Sequence, residues 1–351
     1  MMKIDIEVAV KERYAKGAAQ KEEALCCPVS TYEAKFLGVI PEEIIEKDYG
    51  CGDPSKYLKE GDVVLDLGSG AGKFCFIASQ VVGPKGKVIG VDFNPPMLAL
   101  AKKYQKVIGD RIGYHNVEFR RGRIQDLKLV IPDESVDILV SNCVLNLVRT
   151  EEKQTLFEEM HRVLKRGGRV AISDIVSDED VPLKLQEDPA LWSGCISGAF
   201  REDLFLKAFE DAGFYGVTME MLAKEPYRTV KGIEFRSITV TAYKGKEGPC
   251  IEQNQAVIYK GPWKQVEDDD KHILKRGIRT AVCDKTYQIF SKTPYRDEVI
   301  LVPPRKEVSL EKGGVFDCNR PAVRHPRETK GKAYRKTTEA VSSCSPEGGC
   351  C

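Results

Sequence analysis

Two groups of residues in this 351-residue chain have the types and spacing to do chemistry: a glycine loop flanked by aspartates, and a set of cysteines. In Leu65-Asp66-Leu67-Gly68-Ser69-Gly70-Ala71-Gly72, three glycines occupy alternate positions directly after an apolar run. Glycines there let backbone amides approach a ligand, and the helix that follows adds unpaired N–H groups and the positive end of its dipole. The dinucleotide fingerprint keeps two residues before its third glycine, whereas each gap here is one residue. Asp66 precedes the first glycine by two positions, and Asp92 ends the next apolar run. A carboxylate at that strand end is placed to accept hydrogen bonds from vicinal ribose hydroxyls.

The cysteines number twelve, many for a chain whose start lacks the pattern of a secretory leader. Cys26 and Cys27 are adjacent, Cys51 is bracketed by glycines in Tyr49-Gly50-Cys51-Gly52, and Cys344, Cys350 and Cys351 fall at the end. Reducing conditions disfavour a structural disulfide framework, leaving inert packing or soft-ligand and redox chemistry.

The elements that position these residues are legible from periodicity. Short β-branched runs alternate with amphipathic stretches from Gly61 to about Tyr243, which predicts a doubly wound parallel sheet with helices on both faces. Strands are expected at 62–67, 87–92, 117–120, 136–141 and 169–174, and a helix from Glu151 to Leu164 closed by Gly167-Gly168. Another helix ends at Gly213, and runs near 217–221 and 233–243 predict an antiparallel edge hairpin. Residues 1–57 read as a helical segment with the cysteine pair, 58–245 as the main α/β domain, and 250–303 as a small β-rich module with strands at 255–259, 287–290 and 299–302. Residues 304–351 read as a disordered basic linker with a Cys-ended tail.

Position selects among the cysteines. Ligands of open α/β sheets bind beyond the carboxyl ends of the strands, so Cys143, after strand four, faces the ligand. Cys195 lies in Trp192-Ser193-Gly194-Cys195-Ile196-Ser197-Gly198-Ala199, beyond strand five, where a substrate lid is expected.

The glycine loop, Asp92 and the strand pattern together resemble the class I S-adenosylmethionine-dependent methyltransferases, which have a Rossmann-like fold. The resemblance implies that Asp66, Gly68, Ser69, Gly70 and Gly72 hold the methionine part and Asp92 the ribose. It also sets Ile124 and Gln125 beside adenine and Asn142 near the methionine moiety. The three cysteine motifs, with the upstream pair and the Cys-rich tail, are similar to those of the arsenite methyltransferases over about 20–245. This implies that Cys143 and Cys195 hold trivalent arsenic as thiolates, with Cys51 completing the site or relaying a disulfide. A soft centre prefers thiolates. Cys26 and Cys27 would supply electrons through disulfides, with a thiol reductant of the thioredoxin or glutathione type. The substrate implied is arsenite or its thiol-bound form.

Blander readings accompany these. Cys75 reads as packing, Cys250, Cys283 and Cys318 as uninvolved, and the tail triplet as either a thiol hook or an inert end. The four histidines show no spacing for zinc or a hydrolytic triad. With 54 Lys+Arg against 53 Asp+Glu, bulk charge recruits neither nucleic acid nor anionic lipid, and no run reaches the roughly 18 apolar residues of a membrane span. The cytoplasm is the expected compartment. Two other functions stay open: methylation of a different small metabolite, for which Asp174 is the one candidate base, and metalloid binding or sensing without turnover.

Overall fold

The computed structural model describes residues 6–20, 32–47, 49–318 and 323–329, so Cys26, Cys27, Cys344, Cys350 and Cys351 lie outside the described residues. The chain divides into two compact units, 1–245 and 246–351.

The first unit opens with helices α1 (Ile6–Ala19), α2 (Ala34–Leu37) and α3 (Glu42–Ile45). Then β1 (Val63–Leu67), α4 (Lys73–Val82), β2 (Lys87–Asp92), α5 (Pro95–Ile112), β3 (Val117–Arg121) and β4 (Val136–Asn142) follow in alternation. Next come α6 (Lys153–Val163), β5 (Leu164–Ser177), α7 (Leu183–Gln186), α8 (Pro189–Trp192), β6 (Phe200–Arg201) and α9 (Glu202–Asp211). The unit ends with β7 (Tyr215–Leu222), β8 (Arg228–Val230) and β9 (Ile233–Tyr243). The sheet runs β3-β2-β1-β4-β5-β9-β7, with β6 beside β5 and β8 beside β9. Strands β1 to β5 pair in parallel, whereas β9 lies antiparallel to β5, β7 and β8. The expected doubly wound sheet with an antiparallel edge is therefore the fold.

Alternation along β1 explains the two-sided core. Val64 packs with Phe76, Ile77 and Val140 on one face, while Leu65 and Leu67 pack with Leu139, Phe157 and Phe209 on the other. A strand buried on both faces reads as a continuous apolar run for this reason. One boundary differs from the sequence reading. Strand β5 begins at Leu164, directly after α6, so Gly167 and Gly168 lie within the strand rather than closing the helix. Gly167 has φ +82°, and its N–H donates to Lys244 O at 2.8 Å, which extends the pairing with the β9 edge.

The second unit contains β10 (Ala256–Tyr259), β11 (Gln265–Glu267), β12 (Ile273–Lys275), β13 (Arg279–Ala281), α10 (Asp284–Phe290) and β14 (Val299–Val302). Strand β10 is central, flanked by β13 and β14, and β11 pairs with β12. The run 287–290 is helical, not the strand its four residues predict. Thr286, Ile289 and Phe290 are the buried positions, a spacing of three and four that belongs to a helix. The expected linker also departs from its reading over its described part. Phe316, Arg324 and Thr329 are buried, and Arg324 pairs with Glu252 at 2.6 Å and Glu328 at 3.0 Å. Among the described residues, no helix is long and apolar enough to cross a membrane.

Candidate active site

At the carboxyl ends of β1, β2 and β4 the first unit opens a cleft of about 1160 Å³, including its mouth. Asp66, Gly68, Ser69, Gly70, Asp92, Ile124, Gln125, Asn142 and Cys143 all line it. Gly72 does not. Its φ is +86°, and a Cβ there would come within 2.7 Å of the Phe119 ring, so this glycine is needed for packing between the loop and the sheet. Gly70 differs: it has φ +51°, and a Cβ would meet nothing within 4 Å.

The loop is fixed by its neighbours. Gly68 and Ser69 donate their N–H groups to Val91 O at 2.8 and 3.1 Å. Asp92 accepts from Gly70 N at 2.9 Å through Oδ2 and from Asn94 N at 2.7 Å through Oδ1. Burial raises the Asp92 carboxyl, and these N–H donors pull it partly back. Ser69 Oγ is buried with no protein partner. Asp66 Oδ2 accepts from the Cys75 thiol at 3.2 Å, and burial followed by the Asp66 charge pushes that thiol well above its usual range. Gln125 Nε2 donates to Glu152 at 3.1 Å, and Arg123 bridges Glu152 and Glu7.

A sulfur cluster adjoins the cleft: Cys143 lines it, whereas Cys51 and Cys195 do not. Cys51 and Cys143 form a disulfide with Cα atoms 5.9 Å apart, across 92 residues of sequence. Cys195, a buried thiol outside the disulfide, donates to Cys143 O at 3.1 Å. All three belong to one buried cluster with Ile175, Ile196 and Phe235. Cys143 and Cys195 both take left-handed backbone conformations, at φ +58° and +60°. Such conformations cost non-glycine residues about 1 kcal/mol or more and cluster at functional sites.

Asn142 clamps the Cys51 loop. Its Oδ1 accepts from Cys51 N at 2.7 Å and Gly52 N at 3.1 Å, and its Nδ2 donates to Gly52 O at 2.8 Å. The glycines either side of Cys51 make this approach feasible: a Cβ on Gly50 would lie 2.3 Å from Asn142, and one on Gly52 2.3 Å from Ser173. The Cys195 loop is pinned just as closely. Trp192 Nε1 donates to Leu147 O at 3.2 Å, and Lys153 Nζ to Gly198 O at 2.5 Å.

Asp174 is fully buried beneath these cysteines and accepts from Leu145 N, Ile175 N and Asn146 Nδ2 at 2.8 to 2.9 Å. Burial raises its carboxyl to about 6, and it lowers the neighbouring Lys153 to about 8. Asp174 does not line the cleft, so its geometry is that of an anchor and not of a base. Periodicity did not single out Tyr14. From α1 it lines the cleft, crosses Tyr49 edge-on at 6.0 Å, and its hydroxyl meets the Cys195 side chain. Arg13, next to it, donates to Ala190 O at 2.9 Å and Ser193 Oγ at 3.0 Å, tying α1 to the Cys195 loop.

A methyltransferase domain family matches residues 58–213, and a domain family of unknown function matches 246–334. Arsenite methyltransferase of Aquipseudomonas alcaligenes is 32% identical over 82% of this chain and 88% of its own length. The arsenite methyltransferase of Mus musculus is 30% identical over 92% of this chain and 88% of its own. Among solved structures, an arsenic(III) S-adenosylmethionine methyltransferase from Chlamydomonas reinhardtii is 27% identical, with TM-score 0.60 over 82% of this chain and 100% of that one. With likeness of this degree along most of both chains, the protein belongs to the arsenite methyltransferase family.

Proposed function

We propose that this enzyme transfers the methyl group of S-adenosylmethionine to trivalent arsenic held by Cys143, Cys195 and Cys51. The observation that carries the reading is the convergence of these three cysteines, distant in sequence, into one buried cluster beside the cleft lined by the glycine loop and Asp92.

The lining suits the donor. Asp92 offers carboxylate lone pairs to a ribose diol, Ser69 Oγ is an unmatched buried polar group, and Ile124 gives an apolar wall for adenine. Gly68 and Gly70 leave the loop backbone bare, and Asp66 supplies a carboxylate for the methionine end. When bound, S-adenosylmethionine supplies an electrophilic methyl on its sulfonium. The protein then has to hold and orient. Three thiolates leave arsenic its lone pair as nucleophile, so no general base is required, and positioning supplies most of the catalysis. Asn142 and Asp174 act through the cysteine loops, the first by fixing Cys51 and the second by fixing Leu145 and Asn146, just after Cys143.

Redox chemistry follows from the same thiols. In the Cys51–Cys143 disulfide two ligands are masked. Two electrons from an external thiol reductant, of the thioredoxin or glutathione type, return them, and the reductant leaves as its own disulfide. Each methyl transfer takes arsenic from +3 to +5, so reduction must also precede the next turn, with Cys26 and Cys27 as proposed electron donors. Thiols that must be re-reduced need a reducing compartment, which keeps the cytoplasm as the proposed location.

The direct test is incubation of the purified chain with arsenite, S-adenosylmethionine and a thiol, with methylated arsenicals measured by chromatography and mass spectrometry. Methylated products are expected. Tight arsenite binding without them would mark a binding protein that has lost turnover.

A further inference from the structure

The second unit holds a pair of thiols that methyl transfer does not use. Cys283 is the N-cap of α10, where its Sγ accepts from Thr286 N at 3.4 Å and lies 3.2 Å from Thr286 Oγ1. Cys250 precedes β10. The fold joins the two segments: Asp284 N donates to Ile251 O, and Phe316 N to Cys250 O, both at 2.9 Å. Cys250 and Cys283 pack with Ala281 and Phe316 in one cluster, and their side chains are within hydrogen-bonding reach of each other. Both are free thiols, Cys283 buried and Cys250 half-exposed, so the pair has one end open to solvent.

We infer that Cys250 and Cys283 form a dithiol site for a trivalent arsenical carrying one carbon substituent, the class to which a singly methylated product belongs. Such a compound has two exchangeable hydroxyls, and a thiol pair matches that number. The reaction is CH3As(OH)2 plus two thiols giving CH3As(SR)2 plus two waters. Two As–O bonds break and two As–S bonds form, each thiol proton leaves with a hydroxyl as water, and no electrons change hands. The bridged product is neutral, so holding it against Phe316 and Ala281 carries no charge-burial cost. A divalent cation would need further ligands, and among the described residues no third His, Cys, Asp or Glu completes a cation site. The identity of the ligand rests on arsenic methylation, whereas the thiol pair itself does not.

The test uses the full-length chain, reduced with a phosphine, and phenylarsine oxide, which bridges two thiols. Native mass spectrometry counts the equivalents bound. Cys250→Ser and Cys283→Ser should each bind one equivalent fewer than the parent, and the double variant should lose only that same equivalent, since the bridge needs both sulfurs. Serine at 283 keeps an N-cap oxygen, and circular dichroism checks the fold. Full stoichiometry in either single variant, or loss of two equivalents in the double, overturns the site. In the parent chain, phenylarsine oxide should protect Cys250 and Cys283 together from iodoacetamide while exposed Cys318 still reacts. Alkylation of Cys250 at an unchanged rate also overturns it. Cys195→Ser run beside them separates the two readings: it should lose methylation and keep the Cys250–Cys283 equivalent.

Discussion

The two ends of the site, the cleft and the sulfur cluster beside it, are built by different means. The glycine-loop end is local: Asp66, the loop and Asp92 come from a single β1-α4-β2 stretch, and its hydrogen bonds join backbone amides to near neighbours. The sulfur end is assembled from segments around residues 51, 143 and 195, held by a disulfide, an asparagine clamp and a buried aspartate. A local site is specified by a short motif and keeps its shape wherever its strand and helix fold. A convergent site exists only when distant loops have docked.

That contrast sets what each end should lose when altered. The largest effect is expected for Cys195→Ser, which removes a ligand but no part of the loop: methylation should be abolished while S-adenosylmethionine binding, measured by calorimetry, stays near the parent value. Retained turnover would break the separation between the ends. Next, Asp92→Ala should weaken cofactor binding by about 1.5–3 kcal/mol, the range for hydrogen bonds to a charged group, or roughly 10- to 150-fold. Arsenite affinity should hardly move; a parallel loss would mean that the halves are coupled.

A third effect is a pH dependence. The folded state raises Asp174 to about 6 through burial, above its unfolded value, so the folded chain binds the extra proton between them. Stability contributed by this group is therefore greatest below about pH 4 and declines as pH rises toward 6. Urea midpoints across that window should fall in the parent more than in Asp174→Asn, and equal slopes would refute the assignment. The smallest effect is expected for Asn142→Ala, at about 1–3 kcal/mol of stability for the orphaned Cys51 and Gly52 amides. In the reduced chain it should also raise the reactivity of Cys51 toward a thiol probe, whereas a mere loss of stability would leave the order of cysteine reactivities unchanged.

Legibility in the sequence follows the same division. The parallel strands, the loop and Asp92 were readable because each depends on neighbours within a few residues. The cysteine motifs were recognisable as motifs, yet the Cys51–Cys143 pairing, the contact of Tyr14 with Cys195 and the clamp by Asn142 depend on segments far apart in the chain. Gly72 belonged to the loop by pattern and to the packing against Phe119 by structure. In the second unit, Tyr287-Gln288-Ile289-Phe290 was too short to separate periods of two and three to four, so a capped helix read as a strand. Arg324 read as linker charge because its partners, Glu252 and Glu328, become visible only once the chain has folded back.

The left-handed backbone at Cys143 and Cys195 has a consequence for anyone engineering this enzyme. Glycine would adopt either conformation without the side-chain penalty, at an unfolded-state entropy cost of about 0.5–1 kcal/mol. With the Cys51–Cys143 disulfide reduced, the sulfurs offset that backbone penalty only by packing, so a library screened for heat resistance alone under reducing conditions would accept glycine at these positions. Thermostabilised variants would be selected toward a well-folded chain that no longer binds its substrate, so any such screen has to read catalysis at every round.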